Sequence, residues 1–232
     1  MGAPDIIYPV RPGDRNDELR YSLRALEANY PNHGDVWIVG HKPEWVTSVN
    51  YIPGNTADHP QANLWANLQA ACQHPDISDN IVIFNDDFYI TEPVAKIPTL
   101  YRSTLTEHLN LPRVKRGEQW WRDSLRATLA VLQTLGHNDP ISYELHTPFP
   151  CSKRRMADTL NRFQNVTPDS PPQWRSLYGN THNIAGAQHK DGKAYRPGPL
   201  KPPFHSTDDR SFRHYRSQLQ DMFPQPSRYE VH

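Results

Sequence analysis

The sequence predicts an α/β domain built on a mostly parallel central sheet, and three observations carry that prediction. Short apolar runs recur at DIIYPV, VWIVG and IVIF, stretches with apolar residues three and four apart lie between them, and adjacent carboxylates stand where the third run ends. DIIYPV at residues 5–10 reads as a buried strand that stops at Pro12-Gly13. A helix follows near Asp17 to Tyr30, with Leu19, Leu23, Leu26 and Tyr30 on one face, Asn16 or Asp14 as its cap, and Pro31 as its end. VWIVG at Val36 to Gly40 is the second strand. A second helix near Pro60 to Gln73 aligns Leu64, Trp65, Leu68, Ala71 and Cys72, and the strand Ile81 to Phe84 then leads into Asp86 and Asp87. In such sheets ligands gather beyond the carboxyl ends of the strands, which is where this acidic pair falls.

Composition narrows the function. At 232 residues the chain fits one large domain. Its 25 Lys+Arg balance 25 Asp+Glu, so no global field marks a generic nucleic-acid or membrane-surface binder, and any phosphate binding must be local. Cys72 and Cys151 lie far apart without CxxC spacing, which argues against a zinc site or a disulfide framework. The N-terminus has no signal-peptide pattern and no segment reaches the length of a membrane span, so a soluble, cytoplasmic protein is expected. Among 23 prolines, the stretch RPGPLKPPF from Arg196 to Phe204 can only be an extended strap or a linker.

Asp86 and Asp87 suit a hard divalent cation such as Mg²⁺ or Mn²⁺, which commonly takes one or two carboxylates and the phosphates of a nucleotide. They also suit a plain turn, with Asn85, Asp86 and Asp87 as its cap. RVKRGEQWWRDSLR sets basic residues beside Trp120 and Trp121, as a stacking and phosphate surface would, but an amphipathic helix burying both tryptophans is the preferred reading. The histidines His182, His189, His205, His214 and His232 lack the spacing of a metal-binding helix and read as polar surface, with His205 set apart by its nearness to Asp208.

RNDELRYSLRALEANYP, VWIVGHKPEW and IVIFNDDFYI resemble the second conserved region of the Stealth family, which includes bacterial capsular-polysaccharide sugar-phosphate transferases and the animal N-acetylglucosamine-1-phosphotransferase. DIIYPV resembles a shortened first region, ELHTPFPCSKRRMADTLNRF with WRSLYGN the third, and FHSTDDRSFRHYRSQLQDMFPQPSRYE the fourth. Two departures stand out. Pro9 and Val10 replace the expected Thr-Trp, and Ser206-Thr207-Asp208-Asp209 replaces an Asn-Asp pair, leaving open which carboxylate corresponds.

The resemblance implies a GT-A-like nucleotide-sugar fold that moves a sugar-1-phosphate from a nucleoside-diphosphate sugar to an acceptor hydroxyl and releases a nucleoside monophosphate. Asp86, Asp87 and Asp208 would hold Mg²⁺ or Mn²⁺. Asp87, His146 and Arg175 would be catalytic, and Asp5, Arg15, Arg20 and Asn85 would bind the donor. Plainer roles compete: a turn residue for His146, a surface charge for Arg175, and a solvated helix face for Arg15, Arg20 and, by preference, Arg24. The implied organisation is one catalytic domain over 1–232, with a nucleotide-sugar half at 1–100, an acceptor-side half at 101–195, and a strap and returning helix at 196–232. The acceptor is expected to be a glycan ahead of a nucleic acid. Two other functions fit the same residues: a glycosyltransferase releasing nucleoside diphosphate, acting on a glycan, protein or modified nucleic acid, and a non-catalytic nucleotide-sugar-binding module.

Overall fold

The computed structural model describes residues 2–13, 15–54, 60–164, 166 and 171–231. Its strands are β1 (Asp5–Val10), β2 (Val36–Gly40), β3 (Asn50–Pro53), β4 (Asn80–Ile83), β5 (Phe88–Ile90), β6 (Leu100–Tyr101), β7 (Ser103–Thr104), β8 (Ile141–Ser142), β9 (Phe149–Ser152), β10 (Ala187–Gln188) and β11 (Phe204–Ser206). Its helices are α1 (Asp17–Asn29), α2 (Pro60–Gln73), α3 (Leu105–Asn110), α4 (Pro112–Lys115), α5 (Gln119–Thr134), α6 (Lys153–Phe163), α7 (Trp174–Thr181) and α8 (Phe212–Met222). The main sheet runs β3-β2-β1-β4-β9, parallel except for β9. The architecture is therefore the mixed α/β one expected from the alternating apolar runs and helical segments.

Side-chain alternation along β1 divides the interior in two. Ile6, Tyr8 and Val10 pack with Leu19, Leu23 and Leu26 of α1, while Ile7 joins Val39, Ile81, Ile83 and the helices α2, α5, α6 and α7 on the other face. Both faces of the central strands are covered, which is why these runs are almost uniformly apolar. The two predicted helices form where expected, but the cap of α1 differs. Asn16 adopts a left-handed conformation (φ 49°) without a side-chain cap, and its Nδ2 donates instead to the Arg11 carbonyl at 3.3 Å. Asp14 and His232 lie outside the described residues.

The C-terminal segment returns to α1 through a buried ion cluster. The Glu230 carboxylate, almost fully buried, accepts from Arg24 Nε at 2.7 Å and Nη2 at 2.9 Å, from the Ser227 amide at 2.9 Å, and from Arg20. The Arg20 guanidinium also lies 4.2 Å over the Trp45 ring. Arg20 is thus engaged in the fold rather than turned to a donor, and Arg24 is engaged rather than solvated. Burial alone would raise the Glu230 carboxyl, but hydrogen bonds from Arg24, Ser227 and Arg20 bring it from 4.5 down to about 2. Its stabilisation is therefore complete above pH 4.5 and lost as the pH falls toward 2. Glu230→Gln strands buried cations and is expected to cost about 3 kcal/mol at pH 7. Urea unfolding at pH 7 and pH 3 checks this: the gap between wild type and variant should shrink at pH 3, and an unchanged gap would rule out the ion cluster as its source.

Among the described residues no helix is long and apolar enough to cross a membrane. Cys72 and Cys151 are free and buried.

Candidate active site

Beyond Ile83 the chain keeps one further bond to the sheet, the Phe84 amide to the Ile7 carbonyl at 2.9 Å, then turns, with the Phe88 amide donating to the Asn85 carbonyl at 3.3 Å. It continues as β5, which pairs antiparallel with β11. Asp86 and Asp87 therefore occupy the corner where the chain leaves the main sheet, and that corner faces a cleft of about 550 Å³ at the carboxyl ends of β1 and β4. Asn85, Glu18, Arg11 and Asp209 also line it.

This cleft carries crowded negative charge. Burial, with repulsion from Asp87 and Asp86, pushes the Glu18 carboxyl up to about 8, although Thr207 Oγ1 donates to it at 2.7 Å. Burial and the Asp87 charge push Asp86 up to about 7. Asp87 Oδ2 accepts from Lys193 Nζ at 3.0 Å and Ser206 Oγ at 3.2 Å, whereas its buried Oδ1 has no hydrogen-bond partner. Asp209 is neutralised by Arg11, with both carboxylate oxygens 2.6 Å from Nη2.

The expected three-carboxylate set of Asp86, Asp87 and Asp208 is not assembled. Among the described residues no group of three or more His, Cys, Asp or Glu side chains is arranged to hold a metal ion. Asp208 lines the cleft, but its Oδ1 is committed to the turn before α8, accepting from the Ser211 amide and Oγ at 2.8 Å each and from the Arg210 amide at 3.1 Å. What remains is the Asp86–Asp87 pair. Its unpartnered Oδ1 and the surplus charge around it fit a hard cation whose other ligands are phosphate oxygens.

A second cleft, about 500 Å³, adjoins the first, and Lys193, Asp208 and Trp120 line both. His146 is in its wall. The ring Nδ1 lies 3.0 and 3.2 Å from the two Asp191 oxygens, and the His146 amide donates to Asp191 Oδ1 at 3.0 Å. Arg102 and Arg113 also donate to Asp191, the latter at 2.9 Å. Burial opposes ionisation of Asp191, but His146 and Arg102 outweigh it and hold its carboxyl well below the usual carboxylate range. An ionised Asp191 accepts a hydrogen bond from Nδ1–H, which leaves the lone pair of the neutral ring on Nε2, available as a base.

Asp191, Lys193 and Tyr195 alternate along one segment, so Lys193 and Tyr195 reach the clefts while Asp191 meets the His146 ring in the wall of the second. Gly192 between them admits no side chain, because a Cβ there would stand 2.5 Å from the His146 carbonyl oxygen.

Several expected residues lie elsewhere. Asp5 is at the amino end of β1, opposite the clefts, and its two oxygens accept from the Asp35 amide at 2.9 Å and the Ser78 amide at 2.8 Å. It ties two loops together at the edge opposite the clefts. Arg15 is exposed and paired with Asp17 at 2.6 Å in a separate surface groove. Arg175 is buried between Trp174 and Phe88, lines neither cleft, and serves as internal counter-charge to Glu144, Asp87 and Asp191. His205 is enclosed in β11 with its ring 4.4 Å from that of Tyr215. The helix α5 does not bury both tryptophans: Trp121 packs partly against the core, while Trp120 is 38% exposed.

Glu18, Asp191 and Lys193 escaped the sequence reading. In the sequence Glu18 is one acid among the charges of a predicted helix. The string DGKAY held the one available signal, alternating polar residues around a glycine.

Solved structures to which the chain is similar include two of LgtC. A galactosyltransferase LgtC in complex with donor and acceptor sugar analogs matches with a TM-score of 0.44 and 11% identity, covering 76% of this chain and 70% of that one. An active-site mutant of LgtC matches with a TM-score of 0.45 and 11% identity, covering 79% and 71%. No protein-family model matches the chain, and no curated protein does.

Proposed function

We propose that the protein is a metal-dependent transferase on a GT-A-like scaffold, moving a sugar-1-phosphate from a nucleoside-diphosphate sugar to an acceptor hydroxyl. The observation that carries this reading is the meeting of two clefts at Lys193, one acidic with an unpartnered Asp87 oxygen, the other presenting an imidazole oriented by Asp191. Asp86 and Asp87 would hold Mg²⁺ or Mn²⁺, which when bound neutralises the diphosphate charge. Asn85 lines the donor side. In the second cleft, His146 Nε2 takes the proton of the acceptor hydroxyl as its oxygen bonds to the β-phosphorus. The bond from that phosphorus to the bridging oxygen breaks, and its electron pair leaves with the nucleoside monophosphate. Lys193, which lines both clefts and donates from its ammonium to Asp87, would stabilise the charge of the transferring phosphoryl group.

Chromatography of nucleotide products from a panel of nucleotide sugars tests the reaction. Nucleoside monophosphate should appear with Mn²⁺ and vanish with EDTA. Nucleoside diphosphate would replace phosphoryl transfer by glycosyl transfer, and product formation indifferent to EDTA would remove the metal from the account.

A further inference from the structure

We propose that the acceptor held in the second cleft is a single-stranded nucleic acid, its bases stacked on Trp120 and Tyr195 and its phosphates carried by the turn joining α4 to α5. The inference rests on the assignment of that cleft to the acceptor. Trp120 and Tyr195 are 38% and 55% exposed, and both border the cleft. Tyr195 is also a fixed platform, because Arg113 Nη1 donates to its hydroxyl at 2.8 Å and the guanidinium lies 5.6 Å from the ring centroid. Exposed, immobilised rings offer the faces on which bases stack.

The turn supplies the second half of a nucleotide's chemistry. Arg113 and Lys115 at the end of α4 and Arg116 just after it are exposed, against one carboxylate, Glu118, between residues 111 and 120. Among the described residues neither Lys115 nor Arg116 forms an ion pair. In a chain with no net charge, this local excess adjoins the aromatic cleft, whose wall includes Arg113. A neutral glycan would use the ring faces and leave the cations unmatched. A nucleotide strand joins a flat base to a phosphate in every unit, and a single strand leaves its bases free to enter a cleft of about 500 Å³. The hydroxyl delivered to His146 would then belong to a base or a sugar of that strand.

Fluorescence anisotropy on the full chain, with labelled oligo-dT and oligo-U of roughly 12 nucleotides, tests this. Binding should weaken with salt at a logarithmic slope of about −1.4, as about two phosphate contacts on a single strand require. Trp120→Ala should weaken binding about tenfold and Trp120→Phe should preserve it. The double variant Lys115→Ala/Arg116→Ala should flatten the salt slope. The ratio of the two oligonucleotide affinities separates DNA from RNA as the source. Equal competition by dextran sulfate, unchanged affinity in Trp120→Ala, or binding of maltoheptaose without oligonucleotide binding would each overturn the inference. Donor-induced thermal stabilisation, measured on the same preparations, keeps the two readings apart. If it persists without oligonucleotide binding, only the acceptor assignment fails; if it is absent while oligonucleotides bind, the transferase reading fails.

Discussion

His146→Ala is expected to lower kcat by about 10²–10⁴-fold with the donor KM unchanged, the usual loss when a positioned base is removed. The donor KM should hold because the imidazole lines the second cleft and the acidic corner lines the first. Asp191→Asn should produce a similar loss by a different route. Asp191 fixes the ring through Nδ1 at 3.0 Å, so Nε2 is the unprotonated nitrogen. An amide whose NH₂ faces the ring favours the opposite tautomer and turns a proton toward the acceptor, leaving the base in position but spent. Free imidazole should partly restore His146→Ala and should not restore Asp191→Asn. A structural role alone would lower the melting temperature of both variants without rescue of either. Near-wild-type kcat in His146→Ala would remove the imidazole from the mechanism.

The acidic corner was legible in the sequence because it is local: an apolar run that must be buried, ended by adjacent carboxylates, marks a strand terminus whichever elements surround it. The mostly parallel sheet was legible for the same reason, since β1, β2 and β4 separated by α1 and α2 leave little choice but parallel pairing. What escaped was set by long-range packing. Asp191 and His146 are forty-five positions apart and meet only because Gly192 lets one segment cross the other's backbone. Glu18 and Arg20 sit two residues apart on α1, so they face different surroundings, one toward the cleft and the other toward Glu230. Nothing in DELRY separates those roles. Resemblance by motif made Asp5 a donor ligand and Arg175 a catalytic residue, whereas their surroundings use them as a loop tie and an internal counter-charge.

Asp86→Asn is expected to reduce turnover about 10³-fold, the order lost with several kcal/mol of ion-mediated charge stabilisation, and yet to make the ligand-free protein more stable at pH 8. The two effects share one cause. In the folded chain Asp86 titrates at about 7 and Glu18 at about 8, against ordinary values of 3.8 and 4.5. Between those limits the folded state holds protons that the unfolded chain has released, so these groups favour folding below pH 4 and lose that contribution as the pH rises through 7 to 8. Removing the Asp86 charge removes part of this slope. A divalent cation acts in the opposite sense: it takes the ionised carboxylates and expels their protons, so its stabilisation should grow with pH. Ion at about 100 times its dissociation constant adds roughly 2.7 kcal/mol when only the folded state binds it. Thermal melts with Mn²⁺ or EDTA at pH 6 and 8.5 should show the larger Mn²⁺ shift at pH 8.5 in wild type and a lost shift in Asp86→Asn. A shift that survives in Asp86→Asn, or that is larger at pH 6, would place the ion away from this corner, and the charge crowding there would then need another counter-ion, for which Lys193 on Asp87 is the nearest.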